Sequence, residues 1–453
     1  MLAGRPAVCY VHHCMNRAER SACAACRDQV ASVTRNPLEC PESRLLPRRG
    51  KHLGPLTRRC AFTRFGIFVR TLTLAAWSGA CAVCAAPNVQ DALLLSHDKT
   101  QDSTVTTPEY LIGVYYFSGW WRKQPNKWVV NGQDWRKDWP ARVPTLGEYN
   151  EQETMDREIA VAADHGVHFF QILWYPSGGT SPRDWSADPL NAGLRQFIAS
   201  RNRHRMKFSL EFVNHPPFDL DKDDEWKDAC REWTAAMKDP GYLRVDGRPV
   251  FKIHGLQHFL NQNGGDGRRV AERLRVLREI ARQSGLPNPL ISGGVVPSEA
   301  RTIGAAAEPY DFLTTYMDMP GLPRVEKPYP YSLLLAHAEQ AWKSFAEKCP
   351  RPYVPYLPAG WDPRPWKDPR PSFDMPTRDE WQRSLRKIKA ALDGSQNLGV
   401  RLQGSQRQKM LLIYAWNEFG EGGMVAPTQG DGMMKLQAIR QVFGSRHVGG
   451  SAR

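Results

Sequence analysis

At 453 residues, 41% of them hydrophobic, the chain has room for two or three average domains or for one large α/β barrel with a substantial core. Its formal charge of +14 is concentrated at the start, because residues 1–86 hold 13 of the 61 Lys and Arg but only 4 of the 47 Asp and Glu. The remainder is close to balanced and carries no dense basic stripe, which excludes a nucleic-acid partner.

Residues 1–56 lack hydrophobic periodicity and are rich in Arg and Cys, the pattern of a disordered segment or an over-extended start. Eight of the ten cysteines precede residue 86. Cys23-x-x-Cys26 and Cys81-x-x-Cys84 lack the strand–helix context and the second ligand pair that redox or zinc chemistry requires, so no metal and no cofactor are expected. Within 57–86, Arg58, Arg59, Arg64 and Arg70 precede a short apolar stretch of small residues, the layout of a secretory signal. That predicts a secreted or periplasmic protein; a buried internal helix is the bland alternative. The stretch is too short and interrupted for a stable membrane span, and a lipid anchor at Cys81 or Cys84 lacks the usual preceding leucine. Residues 87–107 read as a linker.

From Tyr110 onward strands and helices alternate. Leu111 to Phe117 reads as a strand, and Glu151 to His165 as a helix with Met155, Ile159 and Ala162 on one face. Strands follow at Val167 to Trp174 and Lys207 to Val213, with a helix from Asp223 to Met237. Asp246-Gly247 predicts a type I′ turn pairing Tyr242 to Val245 with Val250 to Ile253, before a helix from Val270 to Arg282. Pro289 to Val296, Asp311 to Tyr316, Tyr353 to Leu357 and Met410 to Ala415 complete eight strands. Helices are predicted at Leu333 to Phe345, at Arg378 to Leu392 behind a Thr377-x-x-Glu380 capping box, and at Met434 to Phe443. The fold class is α/β: a single (β/α)8 TIM-type barrel over 108–445, with a long aromatic-rich loop after the first strand and a tail at 446–453. Cys230 and Cys349 fit a disulfide or two separate buried thiols.

Barrel sites lie at the C-terminal ends of the strands. Those ends carry Tyr116 and Trp120, Trp174 and Tyr175, Asn214 and His215, His254, Tyr316 and Asp318, then Trp361, Asp362 and Arg364. The last strand runs into Trp416, Asn417, Glu418 and Glu421, with glycines interleaved. Aromatic rings stack on sugar C–H faces and fixed polar groups bind hydroxyls, so the set points to an oligo- or polysaccharide ligand. Two carboxyls beside a sugar ring are the usual apparatus for glycosidic cleavage. Bland readings stand beside these. Trp174 fits the core, His254 fits a structural histidine, Asp362 and Arg364 fit a mutual pair, and the loop tryptophans fit pins onto the barrel. No dinucleotide, P-loop, zinc-protease or serine-hydrolase motif is present.

Trp416-Asn-Glu-Phe-Gly-Glu-Gly422 resembles the Trp-Asn-Glu-Trp-x-Glu-Gly signature of the glycoside hydrolase family 99-like group, which includes the WbsX-like proteins. Tyr242 to Ile253, Gly360 to Trp366 and Ala426 to Gly432 extend the likeness. The resemblance implies a retaining, endo-acting glycosidase on α-mannoside-like glycans. It assigns Glu418 to deprotonation of the substrate's 2-hydroxyl and Glu421 to general acid and base. Phe419 and Gly420 replace the Trp-His of family 99 proper, which brings the chain closer to the WbsX-like branch. That branch implies the alternative, a non-catalytic glycan-binding or polysaccharide-assembly protein, labelled a glycosyltransferase.

Overall fold

The computed structural model describes residues 108–123, 126–149, 151–176 and 185–444. The expectations placed on 1–56, 57–86, 87–107 and 446–453 fall outside these residues. Eight parallel strands form the barrel: β1 Tyr110–Tyr116, β2 Phe169–Trp174, β3 Lys207–Phe212, β4 Arg248–Ile253, β5 Leu290–Gly294, β6 Phe312–Thr314, β7 in two halves (Tyr353–Val354 and Tyr356–Pro358), and β8 Arg407–Tyr414. Neighbours in sequence are neighbours in space from β1 to β7, and β8 returns to pair with β1, Tyr110 opposite Lys409. The two halves of β7 close the ring. Tyr353 lies opposite Leu313 of β6, while Tyr356 lies opposite Leu412 of β8.

Helices cover the outside: α1 Gln152–Asp164, α2 Ala192–Ala199, α3 Asp223–Met237, α4 Leu256–Gln262, α5 Gly267–Gln283, α6 Tyr331–Lys348, α7 Arg378–Gly394 and α8 Met434–Phe443. Their 3.6-residue periodicity places Met155, Ile159 and Ala162 of α1, and Trp381, Leu385, Ile388 and Leu392 of α7, against the sheet. The capping box forms as predicted, with Thr377 and Glu380 each bonding the other's backbone N–H. Asp246 and Gly247 both take positive φ (53° and 72°), so the type I′ hairpin is present beside β4. After β5 the connection is made by two short 3-10 turns, Pro297–Arg301 and Gly304–Ala307, instead of a full helix. Cys230 and Cys349 are separate buried thiols.

The two-residue alternation of the strands sends one set of side chains into the barrel. Tyr115, Gln171 and Ser209 lie in register across β1, β2 and β3, and Glu211, Lys252 and Ser292 across β3, β4 and β5. All six are buried. The barrel interior beneath the mouth is therefore polar. Buried polar groups there must find one another: Ser209 donates to Gln171 at 2.8 Å, and Lys252 bonds Glu211 and Tyr115, each at 2.9 Å.

Candidate active site

The signature after β8 forms a compact ribbon. Asn417–Glu418 pairs antiparallel with Gly423–Met424, Glu418 opposite Gly423, and the Glu421 N–H bonds the Glu418 carbonyl at 3.2 Å to close the turn. Gly422 has φ 80°, a conformation that side chains resist, and a Cβ on Gly420 would sit 2.1 Å from the Trp366 indole. These glycines permit the tight turn between the two glutamates, close enough that the charge of Glu421 acts on Glu418. Two polar anchors hold the ribbon to the barrel. The Asn417 amide bonds both the N–H and the C=O of Phe117, each at 2.8 Å. The Trp416 indole donates to Glu158 Oε1 at 2.7 Å.

Both carboxyls are almost sealed, with Glu418 4% and Glu421 1% exposed. Tyr316 donates to Glu418 Oε1 at 2.6 Å, while the buried Oε2 has no hydrogen-bond partner. Burial, and then the negative charge of Glu421, hold the Glu418 carboxyl well above the usual carboxylate range. Glu421 accepts from the Tyr414 hydroxyl and from Arg370 Nη2, the latter at 3.2 Å. Arg370 is itself fixed by a two-pronged bond to Asp368, at 3.0 and 2.7 Å, and lies 4.4 Å over the Trp361 ring.

Aromatic and imidazole rings form the floor. Tyr316 packs against Tyr115 (4.6 Å), His254 (4.9 Å) and Tyr414 (5.0 Å). His254 Nδ1 is 2.6 Å from Glu211 Oε1, and His215 lies 5.9 Å from His254 between ring centres. Burial would raise the Glu211 carboxyl, but Lys252 and His254 outweigh it and hold it below the usual range; burial lowers the Lys252 ammonium. Tyr175 packs 4.9 Å from Phe218, and Asp318 bonds His337 at 2.7 Å. The structure thus brings Glu418, Glu421, Tyr316, His254, His215 and Trp361 around one region of the mouth.

Other residues selected from the sequence have structural partners. Tyr116 is buried with its hydroxyl on Glu158 at 2.9 Å. Trp174 sits in an aromatic cluster with Trp185 and Trp233 and donates to Glu232 at 3.0 Å. Asn214 bonds the Gly255 N–H and C=O at 2.8 and 2.9 Å, joining the ends of β3 and β4. Trp120 is fully buried between Trp128 (4.2 Å) and Phe419 (5.4 Å), so it pins the long loop to the signature turn. Asp362 accepts from Arg364 at 2.7 and 2.8 Å and also from Arg142. Both guanidinium groups flank the Trp139 ring, at 4.7 and 4.9 Å.

Sequence reasoning missed Arg370, Tyr414, Glu158, Glu211 and Lys252. Glu211 and Lys252 had a visible signal, since each is a charged residue within an otherwise apolar strand, Phe-Ser-Leu-Glu-Phe and Val-Phe-Lys-Ile. Glu158 had a weaker one, on the buried face of α1 beside Met155 and Ile159. It accepts bonds from Tyr116, Tyr149 and Trp416, and burial pushes its carboxyl up to about 7 despite those donors. Arg370 had none, because its partner lies 51 positions away. Among the described residues no cluster of His, Cys, Asp and Glu could hold a metal ion, and no helix is long and apolar enough to cross a membrane.

No family model matches the chain, and no curated protein does. Among solved structures, a glycoside hydrolase-like protein superposes with a TM-score of 0.55 at 15% identity, over 74% of this chain and 94% of its own. The GH99 endo-alpha-mannosidase from Bacteroides thetaiotaomicron gives a TM-score of 0.47 at 16% identity, over 73% and 95%. The exo-beta-1,4-mannosidase Op5Man5 from Opitutaceae bacterium strain TAV5 gives 0.44 at 14%, over 74% and 59%. The fold expected from the alternating strands and helices is borne out: this chain is a (β/α)8 barrel, similar in fold to a glycoside hydrolase-like protein.

Proposed function

We propose that the protein is a glycoside hydrolase that cleaves an oligo- or polysaccharide with Glu418 and Glu421 as its reacting pair. The observation that carries this reading is the placement of both carboxyls on one tight ribbon at the C-terminal mouth of the barrel, each held by a tyrosine hydroxyl. Acid–base work on a glycosidic oxygen needs two carboxyls whose proton affinities differ, and the environments of these two differ in their donors. The neighbouring rings of Tyr316, His254 and Trp361 provide stacking and polar contacts for a sugar. Retention of configuration, endo action and preference for α-mannoside-like glycans follow from the family 99-like signature and are part of the proposal. Secretion or export to the periplasm, where such polymers are met, belongs to it as well.

The test is a panel of polysaccharides offered to purified protein, with products read by size. Cleavage is expected for at least one glycan. Glu418→Gln and Glu421→Gln should each reduce turnover by ~10²–10⁴-fold while retaining glycan binding. Binding without cleavage by the wild-type protein would sink the hydrolase reading and favour a glycan-binding protein on the same barrel.

A further inference from the structure

The two carboxyls of the candidate pair do not have equivalent partners. Glu421 has a donor on each oxygen, the Tyr414 hydroxyl on Oε2 and Arg370 Nη2 on Oε1. Glu418 has a donor on Oε1 alone, from Tyr316, and its buried Oε2 has no hydrogen-bond partner. An ionised carboxylate is acceptor-only and is costly to bury with one oxygen bare, whereas a carboxylic acid carries its proton on that oxygen. We propose that in the free protein the proton of this pair resides on Glu418, that Glu421 is the anion, and that Arg370 is the positioning residue fixing this order. The inference rests on the reading of Glu418 and Glu421 as the reacting pair.

The surrounding charges agree. Glu418 faces Tyr316, Glu421, Lys127 and Arg370; burial and the Glu421 charge outweigh the two cations. Glu421 faces Glu418, Tyr316, Tyr414 and Arg370. Arg370 is held above the ordinary guanidinium range although burial opposes it, because Glu421 and Asp368 stabilise its charge. Its fork on Asp368 and its seat on Trp361 leave it a fixed cation beside one carboxyl.

The family 99-like resemblance implies the opposite order in the reacting state, with Glu421 as acid. The proton must then pass from Glu418 to Glu421 before a leaving oxygen can be protonated. That transfer turns Glu418 into the carboxylate able to take a substrate hydroxyl proton and Glu421 into the carboxylic acid, with no net change in charge. Arg370 sets how uphill the transfer is.

Infrared difference spectra of the free protein at neutral pH, in the protonated-carboxyl stretch, test the assignment without requiring any cleavage. Wild type minus Glu418→Gln should show a carboxylic acid band, and wild type minus Glu421→Gln should show none; Glu158 contributes equally to every spectrum and cancels. In an Arg370→Met background, Glu418→Gln should leave an acid band that a further Glu421→Gln removes, because Glu421 has lost its cation. A near-ultraviolet circular dichroism spectrum of Arg370→Met that matches wild type controls for misfolding. A band lost with Glu421→Gln and kept with Glu418→Gln would overturn the proposal, as would Arg370→Met leaving the spectra unchanged. Failure to cleave glycans bears on the hydrolase reading alone, since the readout is taken before any substrate is added.

Discussion

Tyr316, two residues beyond β6, donates its hydroxyl to Glu418 Oε1 at 2.6 Å, so one phenol ties the sixth strand to the ribbon after the eighth. The same ring packs on His254 and Tyr115, which rest on the Glu211–Lys252 ion pair inside the barrel. The carboxyl is thus positioned from below by a continuous stack.

Tyr316→Phe keeps that ring stacking and removes the one donor on Glu418. A hydrogen bond to a carboxyl that carries charge during reaction is worth about 1.5–3 kcal/mol, so kcat/KM should fall roughly 10- to 100-fold. Thermal unfolding should change little. Steady-state kinetics alongside calorimetry check both halves; a large loss of Tm would show that the hydroxyl is structural.

Asn417→Ala would leave the Phe117 N–H and C=O, now satisfied by one amide, without partners in a buried position. Each orphaned group costs about 1–3 kcal/mol, so a loss of roughly 2–6 kcal/mol is expected in urea unfolding. Glycan binding and turnover should fall with it, because Glu418 is the adjacent residue.

Asp362→Ala separates a structural ion pair from a ligand contact. Arg142 is buried and shares Asp362 with Arg364, and removing the carboxylate leaves that buried cation unpaired. A loss of about 3–5 kcal/mol is expected. Glycan affinity measured well below the lowered melting temperature should stay within a few-fold of wild type; a selective loss of affinity would place Asp362 in the binding surface.

Glu158 links stability to pH. Its carboxyl, 4.5 in ordinary surroundings, stands at about 7 when folded. The folded state therefore binds more protons between those values, and its contribution is complete below pH 4.5 and is lost as pH rises through 7. The loss is worth up to roughly 3 kcal/mol. Glu158→Gln has no proton to lose, so the Tm of wild type relative to the variant should fall as pH rises from 4.5 through 7. Parallel slopes in the two proteins would rule this out.

The barrel was legible because each strand is a short apolar run and each helix has a clear face. The α7 capping box and the Asp246-Gly247 turn are local chemistry, fixed by residues within a few positions of one another. The 3-10 connection after β5 carries no such signal, since short turns have little periodicity to read. At the mouth, the positions of strand ends could be read, but not what each side chain bonds. Trp120, Trp174 and Asn214 have the composition of a sugar site, and in the fold they meet Phe419, Trp233 and Gly255 from distant segments. Arg370 was hidden for the same reason: a loop position acquires meaning only when folding sets it beside Glu421.

The divided seventh strand has a bearing on how this molecule meets others. Because Tyr353–Val354 serves β6 and Tyr356–Pro358 serves β8, every barrel strand has a neighbour on both sides. An open sheet offers unpaired N–H and C=O groups on which a foreign strand can template itself. Among the described residues the eight barrel strands present no such rail, so self-association through them has to be negotiated by side chains on the helices and loops, which substitutions can tune without opening the core.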